Sequence, residues 1–453
     1  MKKILSSVLL LALVLSLAFT AAGCKKTGNK DSNSKAGSTA ANLAENPFGM
    51  ADADAEFLEA MSNTGEISNY TFSQELGDYE KEFCEFFAKY YGGSMSYRYI
   101  AYADNQTQYL IDFAAGEAPS FVGIDYRKWP KVGNRQIVYS VDELEKMGIV
   151  GLDHPELVKY EKLCENYTID GKRYAFVVNY ATPVMIGVNL DLFEQYSVKS
   201  PVEYFKEGTW GYDTFVECCK NLSRTTTDGT KIYGYNGWNF FWFLTANDAD
   251  VIGWTKDWKL QSNFSTARVK DTLGQIKSLY DNNYYGGESG DFLAGHIGMM
   301  AATGDNLKNS VKEATFKWDI VPFPYGNDNS SGQLPGEITV CGVVNQKGNN
   351  VQGVINYNIA RRIFDNYKMG VDKSGTFIGG YKGIFTDNQI DLIQSYVDQI
   401  GEDMFLGVGS LETTRNHIQN ELGGGNMTVQ EIIQTYDPVI KGQCDAEMEN
   451  AVR

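Results

Sequence analysis

Four short stretches carry side chains suited to holding a polar solute. They are Tyr180 and Thr182 in NYATP (179–183), Asp125 and Tyr126 at the end of SFVGIDY, Asn236, Trp238 and Trp242 in an aromatic run (231–258), and Asp305 and Asn306 in GDN (304–306). Flat aromatic faces cover the C–H surface of a sugar ring, while carboxylates, amides and hydroxyls bond its hydroxyls. The same mixture of Asp, Tyr and Trp can cage a quaternary ammonium or a polyamine. Within the aromatic run, Phe241, Phe243 and Trp254 read as core. Asp125 doubles as a helix-capping residue, as do Asp305 and Asn306.

Signals for catalysis are missing from the sequence. The three histidines, His154, His296 and His417, are isolated and follow no metal spacing. There is no GxSxG elbow, no phosphate loop and no CxxC pair, so neither metal nor cofactor is expected. A pair of carboxylates for glycoside hydrolysis remains as a rival reading, because Asp and Glu are abundant. A non-transport surface-binding lipoprotein is another.

The elements that must position these residues alternate. EISNYTFSQ (66–74) reads as a strand, and the segment after it presents Phe83, Phe86, Phe87 and Tyr90 at helical spacing before two glycines. SYRYIAYA, a helix ending before Pro119, and SFVGI complete a β-α-β-α-β order, with a Ser140/Glu143 capping box beyond it. Such an order predicts parallel strands with covering helices, and ligands bind beyond the carboxyl ends of strands in such folds. Pro183 argues against one continuous strand through 174–189, because proline cannot donate to a ladder. A long helix is expected over 265–282, strands at 295–304, 317–326 and 337–345, and mainly helix thereafter.

The chain is acidic, with a formal net charge of −17, which excludes a nucleic-acid footprint. Residues 1–23 form a secretory signal, with Lys2 and Lys3 ahead of an apolar core. TAAGC resembles a lipobox and makes Cys24 the expected lipidated residue. Residues 24–65 are expected to be a flexible tether, polar and without periodicity over 25–46. The remainder, about 400 residues, exceeds one hydrophobic core and implies two domains. The six later cysteines match no stapled scaffold and are expected to be buried thiols, with a single bridge among them as the alternative.

These segments together resemble the family 1 extracellular solute-binding proteins of ABC importers, the maltose-binding-type lipoproteins. FAAGEAPSFVGID (113–125) is similar to their Ala-Gly-x-x-Pro-Asp segment, and YTIDGKRYAFVVNYATPVMIGVNLDLFEQY (167–196) to their Asp-Gly-Lys-x-Tyr stretch and following strand. TWGYDTFVECCKNL (209–222), IGMMAATGDN (297–306) and VPFPYG (321–326) resemble further motifs in the same order. The resemblance implies an α/β, two-lobed, type II periplasmic-binding-protein-like fold. Each lobe would be a mainly parallel sheet flanked by helices, with the ligand cleft between. It implies lobe 1 at 66–181 and 303–345 and lobe 2 at 182–302 and 346–453, with crossings at 179–183, 303–306 and 345–349. It also implies a monomer, lipid-anchored through Cys24 outside the cytoplasmic membrane, that passes a sugar or oligosaccharide to permease subunits. The candidate binding residues are then Tyr180, Thr182, Asp125, Tyr126, Asn236, Trp238, Trp242, Asp305 and Asn306.

Overall fold

The computed structural model describes residues 55–452 apart from 102–103, 106, 238–240 and 370–380, together with Leu43, Glu45 and Asn46. The signal segment, Cys24 and Trp238 therefore lie outside the described residues. Among the described residues, no helix is long and apolar enough to cross a membrane.

A first sheet grows from the predicted alternation. Strand β1 (Gly65–Thr71) is followed by helix α1 (Asp78–Tyr91), whose buried face is Phe83, Phe86, Phe87 and Tyr91. Tyr91 takes the core position expected for Tyr90, one full turn on from Phe87. Gly92, at φ 59°, closes the helix by donating its N–H to the Phe87 carbonyl. Strand β2 (Gly93–Tyr99) pairs parallel with β1. Helix α2 (Gln108–Ala115) leads to β3 (Phe121–Ile124), which meets β1 through Ser120 N–H and the Ser68 carbonyl at 3.0 Å.

The centre of the fold is β4 (Val177–Asn189), one strand of 13 residues that passes straight through Pro183. This corrects the expectation of a break. Its first half pairs with strand β8 (Leu334–Val343), up to the Gly336–Pro183 rung. From Val184 onward its partner is β6 (Ile297–Thr303), and β7 (Trp318–Pro322) joins from Met185. The N–H that proline lacks thus falls where the strand changes partners. The second sheet continues from β6 to β5 (Lys231–Gly237), parallel to it.

Both sheets are mixed rather than mainly parallel. β4 and β8 cross between them as strands, not through covering helices; they run antiparallel to each other, β4 antiparallel to β6 and β7, and β8 antiparallel to β3. Residues 303–306, expected as a second crossing, lead into helix α6 (Gly304–Val311), which packs on β4 and β6, and β7 pairs with β4. β8 pairs with both β4 and β3. Helix α7 (Val351–Met369) packs on α1 and β1, so the segment after residue 346 begins on the first sheet.

Around the second sheet lie α3 (Tyr212–Leu222), α4 (Phe241–Ala246), α5 (Ala267–Asp281), α8 (Glu412–Gly423) and α9 (Val429–Glu449). Their apolar faces share one core with Val184, Ile186 and Val188. Another core follows β4 through both sheets, from Val178 and Ala181 to Met185 and Met300. The six described cysteines are free, five of them buried.

α3 lies directly on β5: a Cβ added at Gly234 would sit 2.4 Å from the Cys219 Cα. Because that obstacle is backbone, Gly234→Ala is expected to destabilise the protein by roughly 2 kcal/mol or more. The urea midpoint measures this, and a shift equivalent to under about 0.5 kcal/mol would contradict the packing.

Candidate functional site

The carboxyl end of β3 delivers two candidates to different tasks. Asp125 Oδ1 accepts the Arg127 N–H at 2.9 Å and Oδ2 the Arg127 guanidinium at 2.5 Å. Burial would raise its carboxyl, but the Lys128 ammonium and the Arg127 guanidinium outweigh burial and hold it below the usual carboxylate range. Asp125 therefore builds the turn. Tyr126, held by that turn, faces a cavity of about 220 Å³. Burial is the largest influence on its phenol, pushed up to about 12, with Arg127 opposing and Glu337, Asp125 and Glu402 adding to it.

The opposite wall comes from the second sheet. α4 supplies Phe241 and Trp242, and the start of α6 supplies Asn306. Phe241 is core and wall at once, nearly buried with its ring 5.0 Å from that of Phe405. Asn306 Nδ2 donates to Thr303 Oγ1 at 3.0 Å.

The floor is formed where β8 begins, at Pro335 to Glu337, and where the chain returns through strand β9 (Ile400–Gly401). Glu402 Oε1 accepts the Ile338 N–H at 2.6 Å and Oε2 the Tyr167 hydroxyl at 2.9 Å. Burial pushes the Glu402 carboxyl up to about 8 despite these donors. Asp403 accepts the N–H groups of Val251 at 2.5 Å and Phe405 at 2.7 Å. Burial raises Asp403 and Asp250 alike, and Asp403 raises Asp250 further. The turn after Asp403 presses on the Tyr126 wall: a Cβ at Gly407 would stand 1.5 Å from the Trp129 carbonyl oxygen and 2.7 Å from that of Tyr126. Arg415 and Gln419 of α8 close the rim.

Of the candidates, then, Tyr126, Trp242 and Asn306 share the cavity. Thr182 is fully buried, its Oγ1 accepting the Gly304 N–H at 3.0 Å, which ties β4 to α6. Asn236 is spent on the carbonyls of Gly286 and Gly287, at 3.0 and 2.8 Å. Tyr180, half-buried opposite Thr339, is not among the lining residues. Asp305 lies in the first turn of α6, with its side chain outside the description. Sequence reasoning missed Glu337, Glu402, Asp403, Phe405, Arg415 and Gln419. Among the described residues no cluster of His, Cys, Asp and Glu could hold a metal ion.

The chain belongs to the bacterial extracellular solute-binding protein family, whose sequence profile matches residues 82–356. Proteins of this family bind solutes rather than transform them, which sets aside the hydrolase reading. Similar solved structures include an ABC substrate-binding protein of Listeria monocytogenes in complex with cycloalternan, at 15% identity and TM-score 0.63, covering 84% of this chain and 99% of that one. A cyclo/maltodextrin-binding protein with maltotetraose matches at 12% identity and TM-score 0.61, covering 83% and 97%. UgpB of Mycobacterium tuberculosis with glycerophosphocholine matches at 14% and 0.62, covering 85% and 99%. No curated protein sequence is significantly similar to the chain. The fold is the two-lobed, mixed α/β periplasmic-binding-protein fold of the maltose-binding type.

The raised Glu402 carboxyl sets a pH dependence. Between the ordinary carboxylate value and about 8, the folded chain keeps a proton there that the unfolded chain has lost. Its contribution to stability is complete at low pH and is lost as pH rises through that window. The melting temperature is therefore expected to fall from pH 5 to pH 8, and to fall less in Glu402→Gln. An unchanged slope in the variant would contradict the assignment.

Proposed function

We propose that the chain captures an extracellular saccharide in the cavity between its lobes and delivers it to an ABC permease. The observation that carries this reading is the meeting of the aromatic residues Tyr126, Trp242 and Phe405 with the polar residues Glu337, Asn306 and Gln419 in the lining of one cavity walled from both sheets. The sugar ligands of the Listeria and cyclo/maltodextrin-binding relatives support it.

In this reading lobe 1 comprises the first sheet with α1 and α7, and lobe 2 the second sheet with α3 to α6, α8 and α9. β4 and β8 are the hinges. Solute contacts made only when the lobes close supply the free energy of closure; equal affinity for both states would shift nothing. Export by the signal segment and a lipid on Cys24 would hold the protein at the outer face of the cytoplasmic membrane. A free monomer suffices for this role.

A thermal-shift screen against mono- and oligosaccharides tests the reading, since a solute that binds the folded chain raises its melting temperature. For the saccharide that does so, Trp242→Ala is expected to raise the dissociation constant by about tenfold or more. Titration calorimetry measures this. An unchanged constant, or no saccharide response at all, would contradict the placement.

A further inference from the structure

The charge around the cavity is one-sided. Its wall carries Glu337, Glu402 and Asp403 against Arg415, the one cation among the described lining residues. Arg415 is already engaged: its Nε and Nη2 donate to Asn416 Oδ1 at 3.3 and 3.0 Å, and Glu412 lies 4.0 Å away.

Glu402 and Asp403 accept only from uncharged donors in the bonds described above, namely peptide N–H groups and the Tyr167 hydroxyl. Further acids act on the same carboxyls. The charges of Asp125 and Glu337 add to the rise of Glu402, though Asp125 is matched by Arg127 and Lys128. Asp403 and Asp248 add to the rise of Asp250, and Asp403 to that of Cys444 on α9. Carboxylates enclosed without a counter-cation are costly as anions, so they either keep a proton or take up a cation from outside. The same cavity is lined by Tyr126, Trp242 and Phe405, aromatic residues of the kind that attract a cation and also stack on a sugar ring.

We propose that the solute is a saccharide carrying a protonated amine, its ammonium group seated against Glu402 and Asp403 and its ring against Trp242 and Tyr126. This rests on the reading of the cavity as the saccharide site and names the class of sugar. The raised carboxyls of Glu402 and Asp403 fit it: a solute ammonium takes the place of the proton that Glu402 retains at neutral pH in the free protein. A neutral sugar of the same shape offers these acids hydroxyl hydrogen bonds only and leaves their charge unmatched by a cation.

The test is a matched pair in titration calorimetry at pH 7. Chitobiose made of two glucosamine units is compared with cellobiose, which has hydroxyls in place of the amines, and choline and putrescine serve as amines without a sugar. Chitobiose is expected to bind about tenfold or more tighter than cellobiose. Glu402→Gln, checked for a cooperative melt, is expected to bring that ratio close to one by weakening chitobiose alone. Equal or tighter binding of cellobiose would overturn the ammonium preference and leave the saccharide reading standing. A ratio untouched in Glu402→Gln would overturn the seat assigned to the ammonium. Binding of choline or putrescine with neither disaccharide, or no binding by any probe, would overturn the saccharide reading and this inference together.

Discussion

One strand serves two sheets, and most of the molecule is arranged around that fact. β4 spends its first half against β8 and its second half between β6 and β7. A strand shared in this way must change partners somewhere, and the change falls at Thr182, Pro183 and Val184. There Thr182 turns its hydroxyl toward the Gly304 N–H, which fastens the first turn of α6 to the crossing. Thr182, one of the candidate ligand contacts in NYATP, thus also ties the strand to α6. Hinges of periplasmic type are few residues that absorb small backbone rotations while the flanking bodies stay rigid. In the proposed reading, β4 and β8 are such hinges, with a core that follows β4 on both sides of the crossing.

The joint also explains where the cavity lies. Because β8 pairs with β4 up to the crossing, its first residues open onto the space between the sheets, and Glu337 comes with them. β9 pairs with the same end of β8, so Glu402 and Asp403 arrive beside Glu337 although 64 positions separate Glu402 from its partner Ile338. Enclosing these acids raises the energy of their ionised forms. In the proposed reading, stability and recognition are coupled through the same side chains: a cationic solute relieves what makes the free cavity electrostatically uncomfortable.

Local signals in the sequence were readable where the physics is local. The Ser140/Glu143 capping box, the phenylalanine face of α1 and the helix over 267–281 depend on residues three or four apart, and all stand in the structure. The family resemblance supplied the fold, down to two lobes. What stayed illegible depends on pairing across the chain. Pro183 looked like a breaker because its neighbours on either side were unknown. At the site, Asp125 and Asn236 were singled out by residue type, yet both are consumed by nearby donors or carbonyls. Glu402 and Asp403 had no motif to mark them, since only the fold brings them to Tyr126 and Trp242.

The central claim is that the two lobes close on a solute about the β4 and β8 crossings. Small-angle scattering of the purified protein, with and without a saturating saccharide that raises its melting temperature, tests it most directly. The radius of gyration is expected to fall on binding, as the Tyr126 and Trp242 walls approach each other. A radius that stays the same at full occupancy would contradict closure and leave β4 and β8 as a rigid frame.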